Sequence, residues 1–348
     1  MQKRIRDYGV EIGKLKTGVL NKITDVMGVS VGHATIDDGD LKTGVTAIHP
    51  HDRNLFKEKV IGAAYVMNGF GKTVGTIQIE ELGTIETPIL LTNTLSIGEC
   101  TNSLLTYMIE QNEEIGNTTG TVNPIVGECN DMFLNNIRAQ AVKKEHVYEA
   151  LKTSDREFLE GAVGAGTGMK SFGLKGGIGS SSRILQYPHG TYMLGALVLS
   201  NFGEIHNFLL DGKRAGEKIQ EKLLYNQAEG DKGSIIIVIA TDLPVTSRQL
   251  KRIIKRASVG LSRTGSYIGN GSGDIFIGFS TANKISHDNP NQLVPSYAIH
   301  EEDIDQAFIA AAETTEEAIL NSLITAETTT GRNGNTLYSL KDFMHDIR

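Results

Sequence analysis

The chain has 348 residues, 39% of them hydrophobic and 22% charged, with a net charge of −7. That length carries one large domain or two, and that balance excludes global disorder. Mild acidity gives no footing to a nucleic-acid or anionic-membrane partner, no run approaches the about 18 apolar residues of a membrane span, and two cysteines, Cys100 and Cys129, exclude a disulfide framework.

The chain opens on MQKRIRDYGVEIGKLKTG, which has no apolar h-region. No signal peptide is expected, so the expected location is the cytoplasm, with both thiols reduced. Residues 61–67 are apolar, bounded by polar and glycine residues, and predict a strand. Residues 89–92 predict another. Short helices are expected over 102–109 and 145–151, and a third strand over 192–200. From 204 to 233 the chain is polar, ending in Gly233-Ser234. A strongly β-forming run, SIIIVIAT, follows at 234–241. Thr246 or Ser247 can cap a helix in which Leu250, Ile253, Ile254 and Ala257 follow the i, i+3, i+4, i+7 pattern. Arg248, Lys251, Arg252, Lys255 and Arg256 have helical spacing and read as its solvated face. A further strand is expected over 274–280. The last clear helix covers 311–324, with acids early and Ala, Ile and Leu on one face. Alternating strands and helices imply a layered α/β or α+β fold.

The 39 glycines are in excess for this length. They gather with Asn, Ser and Thr at 68–71, 161–168, 173–179 and 269–273. Such runs serve either several tight loops around one site or plain turns between strands.

Ser234 carries the chemical interest. A serine hydroxyl is a weak nucleophile without a base. Cutting Gly233–Ser234 would give Ser234 a free α-amine of reference pKa about 7.7–8.0, able to serve as that base. Glycine at 233 would allow the strained backbone in which Ser234 Oγ attacks the Gly233 carbonyl. Near another strand start, Ser272 and Asp274 alternate in Asn270-Gly-Ser-Gly-Asp274 and so can face one side. The Asp274 carboxylate would favour a charged amine, with the Ser272 hydroxyl as relay. Asn201 can donate to an oxyanion, and Glu128 can hold a substrate ammonium. The bland readings are turn residues for Asn201 and the 270–274 stretch, and a helix cap for Glu128.

Several long runs in one order resemble the DmpA-type L-aminopeptidase/D-esterase and β-peptidyl aminopeptidase family. They include NKITDVMGVSVGHATI at 21–36, VGAGTGMKSFGLKGGIGSSSR at 163–183, LSNFG at 199–203, GSIIIVIATDLP at 233–244 and RASVGLSRTGSYIGNGSGDIFIGFST at 256–281. The resemblance implies a four-layer αββα sandwich, like the Ntn hydrolases in its layers but different in strand connectivity. It implies self-cleavage between Gly233 and Ser234, giving 1–233 and 234–348 as two chains of one domain that stay together. It implies an N-terminal-serine aminopeptidase or amidase releasing N-terminal amino acids from short peptides, amides or esters through an acyl-enzyme on Ser234. Ser272, Asp274, Asn201 and Glu128 fall at the family's second serine, acid, oxyanion asparagine and amine-binding acid. The implied assembly is a homotetramer, without metal or cofactor. Asn130 stands where the family has an oxyanion tyrosine, which leaves an amide as the possible donor. Lys72, in NGFGK, stands where an acid is expected.

Two other functions compete: an acyltransferase of the ornithine acetyltransferase type, which uses threonine where this chain has Ser234, and an uncut binding protein. His33, His49 and His51 give too few ligands in pattern for a metal site and read as packing residues. Gly164-Ala-Gly-Thr-Gly168 lacks the spacing and the Lys-Ser/Thr ending of a phosphate loop.

Overall fold

The computed structural model of the chain describes residues 2–223, 233–288 and 291–347. The first sheet-forming strands are β1 (Ser30–Asp38), β2 (Leu41–His49) and β3 (Glu58–Gly69). Then come α1 (Thr76–Leu82), β4 (Thr84–Ile85), β5 (Ile89–Asn93), α2 (Ile97–Gln111), β6 (Ile125–Cys129) and α3 (Lys144–Lys152). The glycine-rich middle holds two short strands, β7 (Lys170–Ser171) and β8 (Leu174–Lys175), followed by β9 (Gly177–Tyr187) and β10 (Gly190–Asn201). The polar segment contains α4 (Ala215–Leu223). After it come β11 (Ser234–Thr241), α5 (Ser247–Ile254), α6 (Ala257–Arg263), β12 (Gly273–Ser286), α7 (Asp305–Ile324) and, near the end, α8 (Met344–Ile347).

Two sheets result, a four-stranded one in the order β1-β2-β5-β6 and a six-stranded one in the order β4-β3-β12-β11-β10-β9. Strand alternation sends each sheet's side chains to two faces. In β11, Ile236, Val238 and Ala240 face the other sheet with Ile48, Ile89, Leu91 and Ile125. Ile235, Ile237 and Ile239 face Leu250, Ile253, Leu261, Ile319 and Leu323 of the helices. The smaller sheet covers its outer face with Cys100, Leu104 and Met108 of α2 and Val147, Ala150 and Leu151 of α3. The layers therefore run helix, sheet, sheet, helix, the αββα sandwich that the resemblance implies.

Each predicted strand and helix is present, with three differences. Thr246 caps α5 through a capping box with Gln249, yet α5 stops at Ile254 and Ala257 begins α6, a separate helix. The basic residues do line the outer side, where Arg248 and Arg252 pair with Glu301 and Lys251 with Glu80. Helix α7 begins at Asp305, and its acids are in the core rather than at a solvated start: Glu313 and Glu317 are buried and bind Arg183, itself wholly buried in β9. The polar segment is anchored too, since Ile205, Phe208, Leu210 and Ile219 lie in the core; its residues 224–232 lie outside the described residues. Among the described residues no helix is long and apolar enough to cross a membrane.

Candidate active site

Ser234 is the first residue of β11, and the register fixes its neighbours. Antiparallel β10 sets Asn201 opposite Ser234, and parallel β12 sets Gly273 beside it. Ser234 shares the face of Ile236, so its side chain belongs to the layer between the sheets, at their edge. Asn201 and Ser234 are 6% and 7% exposed, enough for contact with a substrate but little water.

The Gly273 N–H meets two acceptors at once. It donates to Ser234 Oγ at 3.1 Å and to the Gly233 carbonyl at 3.3 Å. One amide thus touches both the nucleophile and the carbonyl that precedes it. Only glycine fits at 273, because a Cβ would stand 2.6 Å from the Phe70 carbonyl oxygen and 3.1 Å from Ser234 Oγ. Glycine is also needed at 233, where a Cβ would fall 2.1 Å from the Asn201 carbonyl oxygen. Close approach between strands is what excludes a side chain.

Ser272 Oγ donates to Asp274 Oδ1 at 2.9 Å, and both residues are fully buried. The alternation read from sequence therefore does bring them to one side. Their turn is held from β3: Asn68 Nδ2 donates to the carbonyls of Gly269 (3.1 Å), Asn270 (3.2 Å) and Ser272. Ile268, just before, sits at φ 59°, a left-handed conformation that a β-branched residue adopts only under constraint.

The Asn201 amide has a fixed sense. Its Oδ1 accepts the Lys170 N–H at 2.9 Å, which leaves Nδ2 as the donating side of the group. Glu128 comes from the other sheet, near the end of β6, and is buried. Its Oε1 accepts the Lys72 N–H at 2.9 Å, and Oε2 accepts the Thr94 hydroxyl. The loop through Gly71 links it to the serine: a Cβ on Gly71 would lie 3.6 Å from Glu128 Oε1 and 3.8 Å from Gly273 Cα. The backbone at Gly71 therefore lies between the carboxylate and the start of β12, beside Ser234. Lys72 itself is exposed beside this loop, its ammonium 5.1 Å from the centre of the Phe70 ring. Asn130 is exposed two residues past Glu128, and its Oδ1 is engaged by the Met132 N–H at 3.0 Å.

Some participants were not legible. The Gly273 amide is a backbone group, for which a sequence carries no side-chain signal, and the Asn68 side chain binds backbone carbonyls that no spacing marks. Thr94 and the buried Asp131 and Lys175 lie in quoted or neighbouring runs without a spacing to distinguish them. Burial pushes Asp131 up to about 7 and Lys175 down to about 7.

The histidines are held by packing contacts. His51 Nδ1 accepts the Arg53 N–H, and Nε2 then donates to the Glu58 carbonyl at 2.7 Å. His33 lies between Thr46 Oγ1 and the Leu159 carbonyl. Among the described residues no group of three or more His, Cys, Asp or Glu could hold a metal ion.

The arrangement can perform acyl transfer: a serine between an amide N–H and an asparagine amide, with a buried carboxylate one loop away. Comparison with known proteins bears on which kind. The profile of Peptidase family S58 matches residues 21–337. The beta-peptidyl aminopeptidase BapA of Sphingosinicella microcystinivorans is 36% identical over 360 residues, spanning 97% of this chain and 89% of that one. A crystal structure of a Pyrococcus horikoshii OT3 protein superposes with a TM-score of 0.93 at 50% identity, covering 99% of this chain and 98% of the other. The L-aminopeptidase D-Ala-esterase/amidase of Ochrobactrum anthropi, described as a new variant among the Ntn hydrolase fold, superposes with a TM-score of 0.89 at 33% identity, covering 98% and 96%.

Proposed function

The chain belongs to peptidase family S58, and from that membership we propose how this aminopeptidase works: it makes its own nucleophile by cutting before Ser234. In the cutting step Ser234 Oγ adds to the Gly233 carbonyl carbon. The C–N bond to Ser234 then breaks, the nitrogen takes a proton, and an ester joins Gly233 to Ser234 Oγ. Water hydrolyses the ester, leaving a Gly233 carboxylate and a free Ser234. The Gly273 N–H, already on the Gly233 carbonyl and on Ser234 Oγ, is placed to take up charge as the carbonyl oxygen becomes an oxyanion.

In turnover, the new α-amine accepts the Ser234 hydroxyl proton while Oγ attacks the carbonyl after a substrate's first residue. Asn201 Nδ2 holds the oxyanion. The leaving amine departs with a proton, and water then releases the amino acid from the acyl-enzyme. Asp274, through Ser272, biases the α-amine's proton affinity. Glu128 receives the substrate's ammonium, which restricts the enzyme to free N-termini of short peptides, amides and esters. Asn130 is a weaker oxyanion candidate, since its side chain is exposed. In this reading the two cut chains, 1–233 and 234–348, form one domain, the cut pairs assemble as a homotetramer, and the enzyme is cytoplasmic.

The observation that carries the proposal is the shared Gly273 N–H opposite Asn201. The test is turnover of aminoacyl p-nitroanilides by the wild type and by Ser234→Ala. Loss of both cutting and turnover is expected in the variant; retained turnover would remove Ser234 from the mechanism. An acyltransferase reading finds no support here, and product analysis with excess amine acceptor distinguishes it.

A further inference from the structure

Lys175, at the end of β8, is wholly buried. Its ammonium donates to three backbone carbonyls, Gly166 at 2.9 Å, Met169 at 3.0 Å and Gly176 at 2.7 Å. An ammonium has three donors and no acceptor, so three convergent oxygens use its full capacity, and no neutral side chain of that reach offers as many. The Met169 carbonyl also accepts the Gly176 N–H at 2.9 Å. Two donors thus hold one face of the Met169–Lys170 peptide.

A peptide group is planar, so fixing its carbonyl fixes the direction of its N–H. The N–H of this plane belongs to Lys170, and it is the one that donates to Asn201 Oδ1 at 2.9 Å. The loop also presses on the strand that carries Asn201: a Cβ on Gly176 would lie 2.5 Å from the Ser200 carbonyl oxygen. We propose that Lys175 is a positioning residue for acyl transfer, setting through the Met169–Lys170 peptide which face of the Asn201 amide meets the oxyanion at Ser234. The proposal rests on the reading of Asn201 as oxyanion donor.

The energetics agree with a positioning role. A buried charge is a poor device for stability alone. Burial lowers the Lys175 pKa, with Asp131 and Asp37 pulling in the other direction.

The test is a double-mutant cycle of Lys175→Gln and Asn201→Ala, with kcat expressed per cut chain and self-cutting followed by denaturing gel. Glutamine keeps two donors; should that variant not fold, Lys175→Arg carries the same cycle. Lys175→Gln is expected to lower kcat roughly tenfold or more with KM within about twofold, the signature of an interaction made in the transition state. In the Asn201→Ala background it should add less than about a twofold loss, because its effect passes through Asn201. An unchanged kcat, or the same loss in both backgrounds, overturns the proposal. If Asn201→Ala itself turns over at the wild-type rate, the oxyanion reading fails and Lys175's role falls with it. If Asn201→Ala is slow and the two losses multiply, only the role of Lys175 fails.

Discussion

Glu128 and Asn201 flank Ser234 from different sheets, and their chemistry predicts different kinetic signatures. Glu128→Gln should raise KM for substrates with a free N-terminus by roughly tenfold or more, the worth of a charge-assisted hydrogen bond, and move kcat little. Asn201→Ala should do the reverse, lowering kcat by about 10²–10³ with KM nearly constant. Steady-state kinetics on one dipeptide amide checks both, and a kcat effect from Glu128→Gln would deny it a binding role. Lys72 lies at the site through its backbone bond to Glu128, so Lys72→Glu should shift relative KM values between substrates with acidic and basic second residues. At this scale the sequence is informative about candidates whose side chains have recognisable chemistry. Ser234, Ser272, Asp274, Asn201 and Glu128 have side chains of recognisable chemistry. The Gly273 amide and the carbonyls around Lys175 have none, and they emerge only when the chain is folded.

Strand β9 shows why some elements are hidden in a sequence. It reads GIGSSSRILQY, polar through its middle, yet Ser180, Ser181, Ser182 and Arg183 are all wholly buried. Each serine finds a distant partner: Ser180 Oγ accepts the Ile23 N–H, Ser181 donates to the Thr314 carbonyl and Ser182 to Asp25. Gly179 lets α7 lie against the strand, since a Cβ there would fall 2.0 Å from the Ala318 carbonyl oxygen. Hydrophobic periodicity cannot reveal an element whose burial depends on polar partners over a hundred residues away. By contrast β11 is apolar from Ile235 to Ala240, and its observed bounds are those expected from sequence. The same contrast marks α7, whose acids suggest solvent but pair with Arg183 and, through Glu317, with Arg6 at 2.7 Å. Burial alone would raise Glu317; Arg6, Arg183 and Asn21 outweigh it and leave the carboxyl below its ordinary range. Arg183→Met should therefore destabilise by about 3–5 kcal/mol, as two buried carboxylates lose their partner. A lower urea midpoint at an unchanged slope is the expected result, and an unaltered midpoint would show the network to be dispensable.

Over the whole molecule, pH stability depends on half-buried histidines as well as on carboxylates. Burial pushes His33 and His49 each down to about 4. For His33 the hydrogen bond to the Leu159 carbonyl offsets burial only in part, and the Lys22 charge lowers the ring further. A depressed folded pKa means stability is complete above about 6.5 and is lost as pH falls through about 4, by up to roughly 3 kcal/mol for each ring. Urea titrations from pH 7 to 4 should show that decline, and His33→Gln should flatten it.

Cutting before Ser234 also has a consequence for the assembled fold. β11 and β12 would belong to the second chain, yet in the six-stranded sheet they lie between β3 and β10 of the first. Hydrogen-bonded ladders on both outer sides, with α7 packed on β9 and β10, would keep the two chains together until the protein unfolds. The measurement that tests the central claim most directly is intact mass spectrometry of the purified protein under denaturing conditions, with the wild type beside Ser234→Ala. The account predicts chains of 233 and 115 residues (348 − 233 = 115) from the wild type, the shorter beginning with Ser234, and one uncut chain from the variant. A wild-type chain that stays whole over days, or one cut elsewhere, would contradict it.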